Sequence, residues 1–146
     1  MTPHLLDVNA LIALLWEDHQ FHETMAVWFA RHAKAGWATS AITQAGFIRV
    51  MNQPALVQPG LSVAELAEVL ASNLSHPAHR LLALDFGFAD VLACCTGGVV
   101  GHRQLTDAYL LTAAVRGGMK LLTFDSGLGT LLASSAERST HIQLLH

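Results

Sequence analysis

Three aspartates stand at the ends of apolar segments, where carboxylates could do chemistry together. Asp7 follows the apolar pair 5–6, Asp125 follows the segment 121–124, and Asp107 stands at the start of a long apolar helix. Carboxylates that converge repel each other strongly, so a cluster is stable only when protons or a divalent cation neutralise it. Because no thiolate or paired imidazole accompanies them, these hard oxygen ligands favour Mg²⁺ or Mn²⁺. Such a cation could activate water and stabilise charge on a phosphoryl group.

Each acid also has a simpler interpretation as a helix cap. Asp is a preferred N-cap residue and is stabilised near the positive end of the helix dipole. Asp85 follows the apolar segment 82–84 in the same way, and capping is favoured there over a direct catalytic role. Asp90 is interpreted as a capping or solvated position, Asn9 as a turn residue and Thr106 as a cap. Taken singly, these positions leave capping and catalysis both open.

Short apolar segments alternate with amphipathic ones, which predicts strands alternating with helices. The predicted strands cover 5–6, 36–39, 79–84, 120–124 and 142–144. The predicted helices cover 8–15, 21–32, a segment capped by Ser40 or Thr43, 63–74, 86–95, 108–115 and 127–133. Pro54 and the pair Pro59-Gly60 predict a loop. This alternation of strands and helices predicts a parallel sheet with helices on both faces. In such sheets, ligands bind beyond the carboxyl ends of the strands, at the point where strand order reverses.

The composition describes one apolar domain with few charges. Its 146 residues fit a single domain, 1–146, with no second core. Hydrophobic residues make up 52% and charged residues 13% of the chain, against about 45–50% and about 25% in an average soluble domain. These values exclude disorder and favour a surface that a partner covers. The net charge of −3 does not indicate a nucleic-acid binder.

Targeting and cysteine patterns exclude several further classes. No apolar run reaches the ~18 residues that a membrane span requires, and residues 1–6 lack the features of a signal peptide. A cytoplasmic protein without a membrane partner is therefore expected. The adjacent Cys94 and Cys95 match no zinc spacing and cannot form an ordinary structural bridge, so both are predicted to be small buried apolar residues. The nine histidines are scattered and form no metal-binding pair.

Four segments taken together resemble the PIN-domain ribonucleases of the VapC toxin type. They are Leu5–Ile12, Ala38–Val50, His102–Leu110 and Leu122–Leu128. They occur in order over nearly the whole chain. Their combination is specific to this family, although each segment alone would be weak evidence. The resemblance implies a three-layer α/β/α PIN-like domain with a central parallel sheet of about five strands. It also implies a Mg²⁺- or Mn²⁺-dependent endoribonuclease that hydrolyses RNA phosphodiesters at an acidic site.

The resemblance assigns roles to individual residues. Asp7 and Asp107 match metal ligands, and Asp125 matches a ligand or a positioner of the attacking water. Auxiliary contacts fall on Asn9, Gln44, Thr106 and Ser126. Many relatives carry a glutamate where this chain has Gln44, whose amide oxygen can face a metal but adds no negative charge and cannot act as a base. We therefore expect one cation to bind well and a second only with RNA phosphates present.

Basic residues are the candidates for contacts with the RNA backbone, because phosphate contacts usually dominate affinity. They are Arg49, Arg103 and Arg116, with Arg138 ranked after them. Each has an equally good interpretation as a solvated charge or as a charge that faces a protein partner.

The resemblance also implies partners. Proteins of this type are toxin components of type II toxin–antitoxin systems, form homodimers, and are held inactive by a VapB-like antitoxin. The apolar helical face of Phe21, Met25, Trp28 and Phe29 could seat that antitoxin. The interpretation as core is favoured, because helical apolar spacing is typical of core helices.

Two alternatives come from other functional classes. One is a catalytically weak PIN-like module that binds RNA or the antitoxin, suggested by Gln44. The other is a haloacid-dehalogenase-like phosphatase, suggested by the acid-containing turn Asp7-Val8-Asn9 after a strand. Asn9 lacks the second acid of that family, and the required lysine would have to be Lys34 or Lys120, at poor spacing.

Overall fold

Five short strands alternate with seven α-helices in the computed structural model, which describes residues 1–56 and 60–146. The strands are β1 (His4–Leu6), β2 (Trp37–Thr39), β3 (His79–Leu81), β4 (Lys120–Thr123) and β5 (Ile142–Leu144). The helices are α1 (Val8–Leu15), α2 (His22–His32), α3 (Ala41–Met51), α4 (Val63–Leu74), α5 (Phe88–Cys94), α6 (Leu105–Arg116) and α7 (Ser135–His141). Short 3₁₀ helices cover Ala33–Ala35, His102–Gln104 and Ser126–Leu131. Pro59, predicted to lie in a loop, falls outside the described residues.

The strands form one parallel sheet in the order β3-β2-β1-β4-β5. His4 of β1 is in register with Trp37 on one side and with Lys120 on the other. The chain runs outward from β1 through β2 to β3, then crosses to β4 and continues to β5. Strand order therefore reverses between β1 and β4, and the carboxyl ends of these two strands form the crevice where ligands of such sheets bind.

Helices cover both faces of this sheet, which confirms the predicted three-layer arrangement. Successive strand residues point to opposite faces. Leu5 and Leu121 pack in one core with α5 and α6, whereas Leu6 and Leu122 pack in the other with α1 to α4. The central strands β1, β2 and β4 are almost wholly buried, as expected of a parallel sheet, whereas the edge strands β3 and β5 are partly exposed. No helix in the described segments is long and apolar enough to cross a membrane.

The α2 face proposed above as a possible partner seat belongs to the core. Met25 and Trp28 are buried, and Phe21 and Phe29 pack against the same cluster while partly exposed. Phe21 also stacks on Phe124, with ring centroids 4.7 Å apart. The core interpretation of this face is therefore confirmed.

The close approach of α3 to α1 depends on a glycine. A Cβ at Gly46 would lie 2.6 Å from Cγ2 of Val8, so a side chain at this position would require the Val8 side chain or one of the helices to shift. Val8 is the first residue of α1 and follows Asp7 directly. The packing of α3 against α1 therefore affects the position of Asp7.

Three local predictions are corrected by the structure. The third strand ends at Leu81 rather than at residue 84: the backbone N–H of Leu82 makes a last bond to the Thr39 carbonyl at 2.8 Å, and the side chains of Leu82 and Leu84 pack against the core that contains α6. The segment predicted as helix 127–133 is the 3₁₀ helix Ser126–Leu131. The helix α7 was not predicted, since Ser135–His141 has no apolar stripe and begins instead with a Ser134 side chain that accepts from the backbone of Glu137.

Cys95 is buried as expected, whereas Cys94 is only partly buried.

Candidate active site

Asp7 lies buried at the carboxyl end of β1 and is held on both carboxylate oxygens. Its backbone N–H donates to the carbonyl of Leu122 at 2.9 Å, which extends the pairing between β1 and β4. Oδ1 accepts from the backbone of Val8 at 2.7 Å, so Asp7 is the N-cap of α1. Oδ2 accepts from the hydroxyl of Thr123 at 2.7 Å. The side chain is therefore fixed in one orientation at the strand-order reversal.

Thr123, which the sequence did not indicate as functional, connects the two strand ends. Its Oγ1 donates to Asp7 and accepts from Nδ2 of Asn9 at 3.3 Å and from the backbone of Asp125 at 3.0 Å. Oδ1 of Asn9 accepts in turn from the backbone of Phe124 at 3.2 Å. One hydroxyl has one proton and two lone pairs, and all are used here. The only sequence signal was a hydroxyl residue at the end of an otherwise apolar strand.

Asp107 and Asp125 come from other elements to the same region. Asp107 lies in the first turn of α6 and is partly buried, and Asp125 is exposed and caps the 3₁₀ helix by accepting from Gly127 at 2.8 Å. Burial, together with the negative charges of Asp7 and Asp125, raises the pKa of Asp107 to about 6. The three carboxylates therefore lie within electrostatic range of one another. We call Asp7, Asp107 and Asp125 the acid cluster.

The acids differ in how fully they are hydrogen-bonded. Burial raises the pKa of Asp7, the bonds from Thr123 and Val8 lower it, and the charge of Asp125 raises it. The carboxylate of Asp107 has no hydrogen bond or ion pair within residues 1–56 and 60–146. A partly buried carboxylate with a raised pKa and no protein donor is a group that a cation would stabilise.

Gln44 lies near the same edge of the sheet but contacts a different strand. Its Nε2 donates to Oγ1 of Thr39 at 3.0 Å, and this hydroxyl lies 2.9 Å from Nε2 of His79. Thr39 is the last residue of β2, next to β1. The structure thus places the Gln44 amide at the carboxyl end of β2, without a hydrogen bond to any member of the acid cluster in the described chain.

The other predicted auxiliary residues are on the surface. Thr106 is exposed beside Asp107, and Ser126 is exposed and lines a cleft that starts at Asp125. No hydrogen bond joins either side chain to the acid cluster within the described segments. Asn9, in contrast, is bound into the Thr123 network.

The predicted basic contacts fall at different places. Arg103 is exposed in the turn that leads into α6, at the same helix end as Asp107, and Arg49 is exposed in the last turn of α3. Arg116 lies at the opposite end of α6 from Asp107, where its guanidinium is 4.0 Å from Asp90 and 5.3 Å from the ring centroid of Phe86. The structure therefore does not bring Arg116 to the acid cluster.

Two other aspartates considered above are separate from the acid cluster. Asp90 caps α5, since its Oδ2 accepts from the backbone of Gly87 at 3.1 Å, as the capping interpretation predicted. Asp85 is exposed and lines a different cleft with Arg116.

The acid cluster is an open group of hard oxygen donors. Among the described residues, no three His, Cys, Asp or Glu side chains converge closely enough to enclose an ion by themselves. An enclosing cage is not required for Mg²⁺, which is usually bound by one or two carboxylates and keeps several waters or substrate phosphates. The unbonded carboxylate of Asp107, near Asp7 and Asp125, therefore fits a cation of this type.

Comparisons with known proteins give a matching family model and similar relatives. The family model of the PIN domain matches residues 4–131. Ribonuclease VapC38 of Mycobacterium tuberculosis is 41% identical over 141 residues, which are 97% of this chain and 96% of that protein. Ribonuclease VapC44 of the same species is 36% identical over 134 residues, covering 92% and 94% of the two chains.

Solved structures share the fold at low sequence identity. VapBC2 from Rickettsia felis, crystallised with a DNA fragment from its promoter, contains a chain that superposes with a TM-score of 0.64 at 11% identity, covering 97% of this chain and 98% of that one. FitAcB from Neisseria gonorrhoeae gives a TM-score of 0.57 at 17% identity, with 95% of each chain covered.

Proposed function

Since the chain belongs to the PIN-domain family and is an endoribonuclease of the VapC type, we propose that it hydrolyses RNA phosphodiesters at the acid cluster with a bound Mg²⁺ or Mn²⁺. One observation carries this proposal. Three carboxylates from separate parts of the chain lie within electrostatic range at the strand-order reversal, and burial together with the charges of Asp7 and Asp125 raises the pKa of Asp107 to about 6. This electrostatic cost is expected where a cation binds.

Asp7 and Asp107 are the proposed ligands of the cation. When bound, the cation supplies a more acidic water and stabilises charge on the phosphoryl group. Asp7 is oriented by Thr123 and Val8 before any ligand arrives, so little ordering is needed on binding. Asp107 keeps its oxygens free of protein donors in the described segments, and a bound cation would favour its ionised form.

Asp125 is the proposed positioner of the attacking water. It is the exposed member of the acid cluster, and Oδ1 is held by the backbone of Gly127. Its own backbone N–H is bound to Thr123, the residue that holds Asp7. Oδ2 of Asp125 therefore stays available at a fixed distance from Asp7, where it can orient a water molecule.

The neutral Gln44 supports a site with one tight cation. Its amide nitrogen donates to Thr39, and it adds no negative charge beside the three carboxylates. We propose that a second cation binds only when RNA phosphates supply the missing charge. Gln44 is also the reason to consider a catalytically weak module that binds RNA or an antitoxin.

The partners follow from the relatives. The solved structures of similar fold include VapBC2, bound to a DNA fragment from its promoter, and FitAcB, and the curated relatives are VapC ribonucleases. We propose that this chain is the toxin of a type II system, with RNA as substrate and a VapB-like antitoxin as inhibitor. A homodimer remains our expectation for the free protein.

The phosphatase alternative has no support in the geometry. Lys120 begins β4 and Lys34 precedes β2, so both lie toward the amino ends of the strands. Asp7 lies at the carboxyl end of β1. Neither lysine is placed to assist a nucleophile at Asp7, and Asn9 is engaged with Thr123 and Phe124.

Incubation of the purified protein with total RNA, with Mg²⁺ or with EDTA, tests the proposal. We expect cleavage with Mg²⁺, none with EDTA, and none for Asp7→Asn. Asp85→Asn is the matched control, because Asp85 also follows an apolar segment but lies outside the acid cluster. Unchanged cleavage by Asp7→Asn would overturn the proposed site. Tight RNA or antitoxin binding without cleavage under any of these conditions would favour the binding module.

A further inference from the structure

A cleft of about 250 Å³ begins at the acid cluster and extends away from it along β5. Asp125 is at once a member of the acid cluster and part of the wall of this cleft. The rest of the wall combines polar side chains of the 3₁₀ helix and α7 with apolar side chains of β5. The lining residues are Asp125, Ser126, Gly129, Arg138, Ser139, Ile142 and Leu144.

Arg138 is fixed in this cleft by two contacts. Nη1 donates to the carbonyl of Leu132 at 3.0 Å. The aliphatic part of the side chain crosses Gly129, where a Cβ would lie only 3.0 Å from Cδ of Arg138. A guanidinium has five N–H donors, and one hydrogen bond leaves most of them free. In the parts of the chain that the structure describes, this guanidinium has no carboxylate partner.

The apolar wall lies on one side of the edge strand. Ile142 and Leu144 are alternate residues of β5, so their side chains share a face of the sheet. Both are partly exposed. A largely apolar surface with a few placed polar groups is typical of a small-molecule or nucleotide site. The volume of about 250 Å³ is close to the lower end of the ~300–1,000 Å³ range of small-molecule sites.

We propose that this cleft binds the RNA nucleotide next to the scissile phosphodiester, with Arg138 on its phosphate and its base or ribose against Ile142 and Leu144. The inference rests on the proposed RNA hydrolysis, because Asp125 connects the cleft to the acid cluster. Arg138 brings a positive charge to a site that is otherwise acidic. It supplies the backbone contact that Arg116, at the far end of α6, cannot supply.

The test measures binding of a labelled, mixed-sequence single-stranded RNA in the Asp7→Asn background, so that the RNA stays intact. Arg138→Gln is expected to weaken binding roughly tenfold, as for loss of a charge-assisted bond. It should also reduce the slope of log K against log salt by about 0.7, the value for one phosphate contact on a single strand. Arg31→Gln is the matched control, because Arg31 is exposed in the last turn of α2, before β2 begins. We expect no change of slope for it.

A second variant separates position from charge. Gly129→Ala keeps the net charge but displaces the Arg138 side chain, so RNA binding should weaken severalfold while thermal unfolding shows a folded protein. In the cleaving protein, Arg138→Gln should raise KM for RNA much more than it lowers kcat.

The outcomes distinguish this inference from the proposed function. If the Asp7→Asn parent binds RNA and Arg138→Gln leaves both affinity and slope unchanged, the cleft assignment is overturned and RNA hydrolysis is not. An equal loss of RNA affinity in Arg31→Gln also overturns the cleft assignment, because any positive surface charge would then contribute to RNA binding. If Arg138→Gln weakens only the binding of an acidic peptide, the cleft belongs to a protein partner and the inference is wrong. Absence of RNA binding by the parent and of cleavage by the unmodified protein would remove both proposals.

Discussion

The hydroxyl of Thr123 donates a 2.7 Å hydrogen bond to Oδ2 of Asp7, across a separation of 116 residues in the sequence. Both residues are buried, and the bond joins the carboxyl ends of β1 and β4. The same hydroxyl accepts from Asn9 and from the backbone of Asp125. The position of two members of the acid cluster therefore depends on one side chain that carries no charge.

Replacing Thr123 with valine tests this dependence. Thr123→Val keeps the shape but removes the donor to Asp7, which leaves a buried carboxylate oxygen unpaired. We expect a loss of about 1–3 kcal/mol in the free energy of unfolding and a large loss of RNA cleavage. Urea denaturation and an RNA cleavage assay measure the two effects.

Thr112→Val is the control for this substitution. Thr112 is equally buried, but its hydroxyl donates to the Ala108 carbonyl within α6. We expect little change in either measurement. If Thr123→Val cleaved RNA as well as the parent, the proposed orienting role would be wrong.

The raised pKa of Asp107 predicts that this acid destabilises the cation-free protein. Because the folded pKa of about 6 lies above the ordinary value of 3.8, the folded state holds more protons than the unfolded state between these two values. Stability therefore falls as pH rises through this window and is lowest above it. Asp107→Asn should stabilise the cation-free protein at pH 7 by about 1 kcal/mol, allowing for solvent screening.

Urea denaturation in EDTA at pH 7 and at pH 4 measures this effect of Asp107→Asn. The gain should shrink at the lower pH, where the carboxyl is protonated, and RNA cleavage, measured separately with Mg²⁺ at pH 7, should be lost. Asp85→Asn, outside the acid cluster, should change neither quantity. A destabilised Asp107→Asn protein at pH 7 would show that the carboxylate has a stabilising partner in the fold.

The cation count depends on Gln44. With three carboxylates, calorimetric titration of the free protein with Mn²⁺ should give one tight site. Gln44→Glu adds a fourth negative charge near Thr39 and should create a second site or tighten the first severalfold. Gln53→Glu is the control, because Gln53 is exposed just after α3 and donates to the Arg49 carbonyl. Two tight sites in the unmodified protein would contradict the one-cation proposal.

The contact between α1 and α3 predicts a steric effect on the site. Gly46→Ala places a Cβ 2.6 Å from Val8 and should cost about 1–3 kcal/mol of stability through overpacking. Because Val8 follows Asp7, cleavage should fall as well. The double variant Val8→Ala, Gly46→Ala should recover part of the stability. Gly87→Ala serves as the control, since no atom lies within 4 Å of the added Cβ. Thermal unfolding compares the four proteins.

The local pattern of apolar and capping residues was sufficient to predict most of the strands and helices. Apolar segments that end in Asp7 and Asp125 indicated β1 and β4, because strand periodicity and capping depend on neighbours in the chain. The same reasoning failed for α7, whose residues Ser135–His141 lack an apolar stripe. The same reasoning also extended the predicted β3 past Leu81. Apolar residues that follow a strand and pack into the core give the same sequence pattern as residues of the strand itself.

The sequence by itself determined the donor types, the alternation of strands and helices, and the resemblance in which Asp7, Asp107 and Asp125 recur. Only the tertiary structure decided which side chains meet. It brought Thr123 to Asp7, turned Gln44 toward Thr39, and placed Arg138 in the same cleft as Asp125, whereas Arg116 lies at the far end of α6. The physical reason is that these contacts join residues on different elements, so strand order and helix packing fix them and no local spacing encodes them.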